Sequence, residues 1–476
     1  MSILASGDLI EVWPLLSDAD RLEGFRDLDQ PEAERLFDAL EPRDRAWIVG
    51  RLPPSDQQVA LFKRLTRAEA ESVFGALEAP NQLWLLEQLP EGERRLWLRW
   101  LAPDDTADLI QETEGEEREA LLNLLDAATR KEVTGLLAYE EDAAGGLMNP
   151  RYLRLRGNIT VDAAITYLRH QSTGTAENFY YPYVLDREKL IGVISLRELL
   201  AANPDAFVRD VMMTDLITVR EDTDQEELAA RFAETDLMVI PVVDEEGRIK
   251  GIVTVDDIVD VVREEATEDI QKLGGAEALE TPYSQASVIE LWRARIGWLA
   301  LLLVLSFFSA QAVAAFSPMI SHLAVLSALM PLIISSGGNS GSQAATLLVR
   351  SLALGEVSLS DIAKVIWREV WMGLLLGVSL GVIALVGMTL WTALMPSAVG
   401  PSFDVRVRVC LVAATSVVGV VTWGILVGTM LPFVLKRLAL DPASASAPLV
   451  ATIVDVTGLL IYFTIARLVL AGELAT

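Results

Sequence analysis

Cysteine and histidine are nearly absent from this chain. Its 476 residues include one cysteine, Cys410, and two histidines, His170 and His322. A single cysteine cannot form an intrachain disulfide, and two histidines far apart in sequence do not supply a histidine zinc centre. The sequence also lacks a recognisable nucleophile–base set and a metal-hydrolase motif. We therefore do not expect an enzyme.

Basic residues are scarce in the N-terminal part. The first 285 residues contain 29 Lys/Arg and 59 Asp/Glu, whereas the remainder contains ten and eight. This acidic excess would repel nucleic acid and anionic lipid, and it suits cations, although ordinary solubility is an alternative explanation. The first twenty residues contain no basic region followed by a long apolar run. We therefore expect no signal peptide and a cytoplasmic N-terminal part.

Long hydrophobic runs are confined to the C-terminal part. Five segments with few or no charges each exceed the ~20 residues that are needed to cross a bilayer. They are 296–316, 323–349, 370–395, 409–435 and 443–470. We predict a membrane domain of five helices at 293–476. The Lys and Arg residues in its loops favour a cytoplasmic N-terminal part and an extracytoplasmic C-terminus.

Small residues recur at steps of four in two of the predicted membrane helices. Gly373, Gly377 and Gly381 form one stripe, and Gly424 and Gly428 form another. Such stripes allow helix backbones to approach closely in lipid. They predict helix–helix contacts and carry no information about chemistry.

The second predicted membrane helix has a polar face. Asn339, Gln343, Thr346 and Arg350 follow one another at steps of four, three and four. Lipid would penalise this face, so it should point at protein or water. Hydrogen bonds between helices and a pore lining are both compatible with the pattern.

Asp455 is the only carboxylate within the last predicted membrane helix. Arg467 lies twelve positions further on, roughly 18 Å along a helix, which is too far for an ion pair. A neutral hydrogen-bonded Asp is one interpretation, and a carboxylate that attracts a cation into a water-filled path is the other. We also expect Pro448 to lie inside this helix and to free the carbonyl of Ser444, an oxygen ligand of the kind Mg²⁺ prefers.

The first 145 residues contain a short repeat. A leucine recurs every twelve or thirteen positions, at Leu40, Leu52, Leu65, Leu77, Leu89 and Leu101. Each unit reads as a short helix followed by a turn, and stacking would bury the apolar faces. We predict an α-helical solenoid at 1–145.

A second repeat pairs YPYVLDREKLIGVISLREL with IPVVDEEGRIKGIVTVDDI. Each copy predicts two strands followed by a helix, with SLRE and TVDD fitting a capping box. The tandem resembles a pair of CBS domains, which we place at 146–209 and 210–265. Such pairs often bind adenine nucleotides and also act as dimerisation modules. By this resemblance Tyr183, Arg197 and Glu198 are the candidate residues for binding ATP.

Acidic residues crowd the segment TVDDIVDVVREEATEDIQKLGG, which predicts one helix. Several lie three or four positions apart, so like charges face each other and destabilise the helix by a few tenths of a kcal/mol per pair. Arg263 and Lys272 are the only basic residues there. A solvated face is the ordinary explanation, and a face bridged by divalent cations is the alternative. We place the acidic connecting helix region and its linker at 266–292, between the CBS pair and the membrane domain.

The order of these parts, with SSGGNSGSQAATLLVRSLALGE, LALDPASASAPLVATIVDVTGLLIYF and EEATEDIQKLGG, closely resembles the MgtE family of bacterial Mg²⁺ channels. The resemblance covers essentially the whole chain. It implies a homodimer in the bacterial inner membrane, with a pore between two copies of the membrane domain. It implies Mg²⁺ as both the transported and the regulatory ion.

The resemblance also assigns site residues. Asp455 corresponds to the pore aspartate that holds hydrated Mg²⁺, and Asp441 to an acidic position at the cytoplasmic mouth that meets the acidic helix in the closed state. The candidate pore residues are Asp455, Asp441, Ala447, Ala451 and Asn339. The candidate Mg²⁺-sensing residues are Asp104, Asp108, Glu226, Asp236, Asp257, Asp260, Glu265, Glu268 and Asp269. At Ala447 some relatives carry Asn, so selectivity there does not transfer.

The implied mechanism is closure at high cytosolic Mg²⁺, when ions draw the acidic domains together, and opening at low Mg²⁺, when the carboxylates repel one another. Transport of Co²⁺ or Mn²⁺ is the first alternative, although oxygen ligands without His or Cys favour Mg²⁺. A membrane-anchored nucleotide sensor without transport is the second. The polar face of the second helix and Asp455 argue against that alternative because an anchor needs neither.

Overall fold

The computed structural model describes residues 9–10, 12–171, 178–279, 283, 286–400 and 402–471. It divides into two compact units, Met1–Val259 and Asp260–Thr476.

The N-terminal unit begins with short helices joined by tight turns. After a 3₁₀ turn at Trp13–Leu15, ten helices follow in order: α1 (Asp18–Arg26), α2 (Gln30–Ala39), α3 (Pro42–Arg51), α4 (Asp56–Phe62), α5 (Arg67–Gly75), α6 (Ala79–Glu87), α7 (Glu91–Trp100), α8 (Pro103–Gln111), α9 (Gly115–Leu124) and α10 (Ala127–Leu136). Side-chain caps start several of them; Thr66 and Glu69 form a complete capping box at α5. The predicted N-terminal helical domain is thus present.

The leucine repeat marks the helix ends. Leu40, Leu52 and Leu101 are the residues directly after α2, α3 and α7, and all three are buried. Each turn therefore contributes one apolar side chain to the common core, because no helix of about ten residues can bury its apolar face alone. The aromatic rings of Phe74 and Trp97 meet in that core with centroids 4.9 Å apart.

Two small α/β copies follow. The first contains α11 (Ala144–Leu147), β1 (Arg154–Arg156), α12 (Val161–Gln171), β2 (Tyr183–Asp186), β3 (Lys189–Val193), α13 (Leu196–Ala201) and α14 (Val208–Val211). The second contains β4 (Val219–Arg220), α15 (Gln225–Thr235), β5 (Val239–Val243) and β6 (Ile249–Thr254). Each sheet has the same order, with a parallel pair followed by an antiparallel pair. The identical topology confirms the predicted tandem.

Helix α16 (Val255–Leu273) starts directly after β6 and contains the acidic segment. Thr254 donates its hydroxyl to the Asp257 carboxylate at 2.7 Å, so Asp257 caps the start of α16 as the TVDD motif predicts. At α13, Ser195 and Glu198 form both bonds of the predicted capping box. The boundary between the two units falls within α16, after Val259.

The C-terminal unit is helical. Its helices are α17 (Val288–Ala315), α18 (Ser317–His322), α19 (Val325–Ala353), α20 (Ile362–Leu394), α21 (Pro396–Val399), α22 (Phe403–Arg437) and α23 (Ala447–Val469), with 3₁₀ turns at Leu359–Asp361 and Pro442–Ser444. Within the described residues, four helical segments are long and apolar enough to cross a membrane: Val288–Ala315, Leu359–Leu394, Phe403–Arg437 and Ala447–Val469. The protein is therefore a multi-pass membrane protein.

Helix α19 is not among these four, although the sequence predicts five crossings. It has 29 residues, which is long enough to span a bilayer. Its SSGGNSGSQ run replaces apolar side chains with small and polar ones. The run lowers the hydropathy of the helix, so composition alone does not identify α19 as a membrane span.

Glycines bring the long helices together. An added Cβ at Gly341 would lie 2.7 Å from the Gly424 carbonyl oxygen, and one at Gly377 would lie 2.9 Å from the Val418 carbonyl oxygen. The first contact joins α19 to α22 and the second joins α20 to α22. The predicted role of the glycine stripes in helix packing is confirmed, because each stripe meets the backbone of a neighbouring helix.

The prediction for Pro448 is wrong. Helix α23 begins at Ala447 with Ser446 as its N-cap, so Pro448 occupies the first turn. A proline in the first turn removes no intrahelical hydrogen bond. Ser444 lies in the separate 3₁₀ turn, where its own N–H bonds to the Asp441 carbonyl. Pro448 therefore does not free the Ser444 carbonyl.

Candidate functional site

Asp455 lies two turns into α23, half-buried in the C-terminal unit. Within the part of the chain that the structure describes, its carboxylate forms no ion pair or hydrogen bond with another side chain. Ala451 and Ala447 lie one and two turns before it on the same helix. Gly338 of α19 faces Ala451, because a Cβ added at Gly338 would lie 3.4 Å from the Ala451 methyl group.

The polar residues of α19 divide between two directions. Ser342 donates its hydroxyl to the Ala447 carbonyl at 3.0 Å and so ties α19 to the first turn of α23. Asn339, Gln343, Thr346 and Arg350 are all exposed in the single chain. The Asn339 amide donates to the Ser335 hydroxyl, one turn earlier in α19, at 3.5 Å. A polar face that is exposed within an apolar helical region requires water or another polar surface beside it.

The approach to α23 carries the second pore candidate. Asp441 caps the 3₁₀ turn before α23, and its carboxylate accepts the Ala443 N–H at 2.8 Å. Its other oxygen lies 2.7 Å from the Lys272 ammonium at the end of α16. Lys272 also forms an ion pair with Glu268, one turn earlier in α16. The Lys272 ammonium therefore forms ion pairs with both Glu268, a predicted Mg²⁺-sensing residue, and Asp441, the predicted residue at the cytoplasmic mouth.

At the junction between the end of α16 and the 3₁₀ turn before α23, burial and neighbouring charges shift the pKa values of two side chains. Burial raises the pKa of the Asp269 carboxyl, and the neighbouring Asp441 carboxylate raises it further. Burial alone would lower the pKa of the Lys272 ammonium, but its bonds to Asp441 and Glu268 outweigh that effect and raise it. The junction thus contains three carboxylates and one firmly charged lysine. Its net negative charge makes it a favourable place for a further cation.

The sensing candidates of the N-terminal unit are placed differently. Asp104 is buried in α8 and accepts a hydrogen bond from the Asn149 amide at 3.1 Å. Asp108 lies one turn further along α8 and is partly buried. Burial, followed by the Asp256 and Asp105 carboxylates, raises the pKa of Asp257 to about 6. Carboxylates from α8 and from the start of α16 therefore interact within one unit.

Asp257 gives the N-terminal unit a specific pH response. The pKa of the Asp257 carboxyl is higher in the folded protein than in the unfolded chain. The protonated carboxyl therefore stabilises the fold at low pH, and this contribution is lost as the pH rises through about 6. We expect the unfolding free energy of Asp257→Asn, which stays neutral, to rise relative to that of wild type by about 1–3 kcal/mol as the pH increases from about 4 to about 7. The measurement is thermal unfolding of the full chain in detergent with EDTA. Asp205→Asn, at an exposed position, is the control, and parallel curves for wild type and Asp257→Asn would contradict the prediction.

The remaining candidates are spread along two helices. Glu226 and Asp236 stand exposed at opposite ends of α15, about 15 Å apart along the helix axis. Asp260 is exposed and lies 3.4 Å from the Arg263 guanidinium. Glu265 is partly buried, one turn before Asp269. Within the described residues, no group of three or more His, Cys, Asp or Glu side chains forms a metal centre.

A cavity of about 440 Å³ lies between the two α/β copies. The first copy contributes Tyr180, Ser195 and Arg197, and the second contributes Thr254 and Asp256. Of the three ATP candidates, only Arg197 is in this lining. Tyr183 is instead buried in β2 against the ring of Tyr152, and Glu198 is held by the capping box of α13.

The resemblance implies that Asp441 meets the acidic helix, but sequence reasoning did not identify two side-chain pairs in the C-terminal unit. The first is the bond from Lys272 to Asp441, and the second is the bond from the Trp298 indole to the Ser446 hydroxyl at 3.0 Å. Each joins residues more than 140 positions apart, so no local pattern reveals the pairing. The only available signal for Lys272 was its isolation as a basic residue in an acidic helix.

An N-terminal helical domain, a pair of α/β copies and a C-terminal bundle of long apolar helices together define a multi-pass membrane protein with a large N-terminal unit. Family models match the same parts. The model of the MgtE intracellular N domain matches residues 51–142, the CBS domain model matches 144–205 and 208–264, and the MgtE divalent cation transporter model matches 330–465.

Relatives match over most of the chain. The magnesium transporter MgtE of Thermus thermophilus is 43% identical over 371 residues, which cover 77% of this chain and 79% of that protein. The magnesium transporter MgtE of Enterococcus faecalis is 33% identical, covering 71% of each. The crystal structure of the cytosolic domain of the Mg²⁺ channel MgtE in complex with ATP covers 50% of this chain and 97% of that one, with 39% identity and a TM-score of 0.44. The chain belongs to the MgtE family.

Proposed function

We propose that this protein transports Mg²⁺ across the membrane along a path on which Asp455 binds the hydrated ion. The relatives named above are magnesium transporters, which supports Mg²⁺ as the transported ion. The observation that carries the proposal is Asp455 itself, a carboxylate without a side-chain partner among the described residues of an apolar helical unit. Such a group is costly unless a cation or water accompanies it.

The path is formed by five membrane helices from each of two copies. Helix α19 is the fifth crossing helix, since it packs through Gly341 against α22 and through Gly338 against α23. A homodimer explains the exposed polar face with Asn339 and Gln343, because a second copy and enclosed water would replace lipid there. Two Asp455 carboxylates near the axis, with Ala451 and Ala447 along the same helix, would attract one divalent cation. The cytoplasmic side holds the N-terminal domains.

Cytosolic Mg²⁺ closes the path by acting on the acidic domains. The sensing set comprises Asp104, Asp108, Glu226, Asp236, Asp257, Asp260, Glu265, Glu268 and Asp269. The bond from Lys272 to Asp441 and the proximity of Asp269 to Asp441 support a closing contact between α16 and the mouth of the path. Mg²⁺ would favour this contact because it relieves the repulsion among these carboxylates, giving it different affinities for the two states.

The CBS pair also provides a place for ATP. The cavity between its two copies has a volume typical of small-molecule sites, and Arg197 offers a cation to a phosphate group. Tyr183 and Glu198 would act indirectly, through the sheet and the capped helix that hold this cavity. ATP bound there would rigidify the pair to which α16 is joined.

The test is the Mg²⁺ current in inside-out patches, with the bath facing the soluble domains. We expect current at low bath Mg²⁺ and closure as bath Mg²⁺ rises. Neutralising Glu265, Glu268 and Asp269 together, as Gln, Gln and Asn, should raise the inhibiting Mg²⁺ concentration by about tenfold, within the usual range of coupling between sites. Changing Glu116, Glu117 and Glu119 of α9 to Gln removes the same charge from an exposed helix and serves as the control.

Two results would contradict the proposal. An unchanged Mg²⁺ response in the first triple variant would remove α16 from the gating mechanism. A wild-type protein without Mg²⁺ current at any bath concentration would leave the nucleotide-sensor alternative. Replacing Mg²⁺ by Co²⁺ or Mn²⁺ in the pipette tests the other alternative, and the oxygen-only candidate ligands lead us to expect the largest current with Mg²⁺.

A further inference from the structure

The segment that follows α16 lies against two helices of the C-terminal unit. Leu273 packs in an apolar cluster with Ala443 and Ala445, which precede α23. Gly275 then turns the chain with a φ of +76°. A Cβ at Gly275 would lie 2.9 Å from Trp298 Cδ1 and 3.2 Å from Pro448 Cγ. The end of α16 is therefore in close contact with α17 and with the first turn of α23.

Trp298 of α17 is common to these contacts. Its ring faces Gly275 on one side, and its indole N–H donates to the Ser446 hydroxyl at 3.0 Å. Ser446 is the N-cap of α23, and its hydroxyl also accepts the Leu449 N–H at 3.4 Å. One turn earlier in α17, the Ala294 carbonyl accepts the Glu277 N–H at 2.8 Å, which fixes the segment beside Trp298.

We propose that Trp298 is a positioning residue that couples the end of α16 to the N-terminus of the helix carrying Asp455. The proposal rests on the proposed function, in which α16 senses Mg²⁺ and Asp455 lies on the path. Ser446 is nine residues before Asp455, a rise of about 14 Å along one uninterrupted helix. A movement of the N-cap is therefore transmitted to the carboxylate, since a helix moves as a rigid element over two or three turns.

The first test removes the indole N–H together with one of the two fused rings. We expect Trp298→Phe to conduct Mg²⁺ at low bath Mg²⁺ but to need about fivefold more bath Mg²⁺ for closure, the effect of one ordinary hydrogen bond on a two-state equilibrium. Trp292→Phe changes an exposed indole on the same helix and should keep the wild-type midpoint. In a Ser446→Ala background, Trp298→Phe should produce a smaller further shift, because the hydrogen-bond acceptor is already missing and only the change in ring packing remains.

A second pair of variants tests the other side of the ring. Gly275 and Gly355 both have positive φ values, +76° and +68°, so alanine strains the backbone similarly at each. Only at Gly275 would the new methyl group also crowd Trp298; at Gly355 no described atom lies within 4 Å of it. We expect Gly275→Ala to shift the Mg²⁺ midpoint at least threefold more than Gly355→Ala. This difference should become smaller in a Trp298→Ala background, where only Pro448 still crowds the new methyl group.

These outcomes separate the two proposals. A wild-type midpoint in Trp298→Phe together with equal shifts for Gly275→Ala and Gly355→Ala would overturn the role of Trp298 and leave Mg²⁺ transport and its gating intact. If Trp298→Phe does not reach the membrane, the glycine pair alone decides the question. Absence of Mg²⁺ current in the wild-type protein would instead refute the proposed function.

Discussion

Replacing Asp455 with Asn is expected to reduce Mg²⁺ current at least tenfold while leaving the protein folded. The substitution keeps the size of the side chain and removes its charge. A unit charge at about 4 Å contributes about 4 kcal/mol at an effective dielectric constant of about 20, and ~1.4 kcal/mol already corresponds to tenfold. A divalent ion that retains its hydration shell lies further from the carboxylate and gains less energy from it. A fraction of the energy at about 4 Å is nevertheless enough for the expected tenfold loss.

The measurement is Mg²⁺ influx into proteoliposomes that contain a fluorescent indicator, at low Mg²⁺ on the side of the soluble domains. Asp404→Asn is the matched control, since Asp404 is an exposed aspartate at the start of α22 that is ion-paired with Arg408 at 2.8 Å. Size-exclusion chromatography of each variant reports folding and oligomeric state. Unchanged influx in Asp455→Asn would make Asp455 a structural residue and would place the ion site elsewhere.

The substitution Gly428→Ala is expected to destabilise the membrane unit by about 3 kcal/mol or more, at the upper end of overpacking effects. A methyl group at Gly428 of α22 would overlap the carbonyl oxygen of Gly341 in α19. Backbone atoms cannot move aside as a flexible side chain can. The two helices must therefore separate, which also disturbs the contact of Gly338 with Ala451. Thermal unfolding in detergent and the yield of monodisperse protein measure the effect.

Gly387→Ala provides the control for this experiment. Gly387 lies within α20, and no described atom is found within 4 Å of the position of its added Cβ. Alanine is favoured over glycine in a helix interior by up to about 1 kcal/mol, so this variant should be as stable as the wild type or slightly more so. Equal unfolding temperatures for Gly428→Ala and wild type would show that α19 and α22 are not packed backbone to backbone.

Much of the fold could be predicted because its signals are local. The twelve-residue leucine repeat, the tandem strand–helix pattern and the capping motifs SLRE and TVDD each depend on residues a few positions apart. Local hydrogen bonds and apolar periodicity determine such elements before distant contacts form. The prediction for Pro448 was wrong because the local sequence pattern carries no information about that helix boundary. An uninterrupted apolar run does not show where a helix starts, and Ser446 fixes the start only through its cap.

The candidate site was predictable in part. A lone carboxylate in an apolar helix is visible in the sequence, so Asp455 stood out from composition and spacing alone. The exposed polar face of α19 was readable from its helical periodicity. The cavity between the α/β copies was not readable residue by residue. Its walls come from both copies, and Tyr183, although near the lining residues in sequence, points into the sheet core.

The sequence by itself determined the division into an acidic N-terminal part and an apolar C-terminal part, the tandem repeat and the presence of a single carboxylate in the last helix. These follow from charge, hydropathy and period, which a linear pattern contains in full. Only the tertiary structure decided that Lys272 reaches Asp441 and that Trp298 reaches Ser446. Both contacts depend on how distant helices pack, and packing brings together residues whose neighbours in sequence give no indication of their partners.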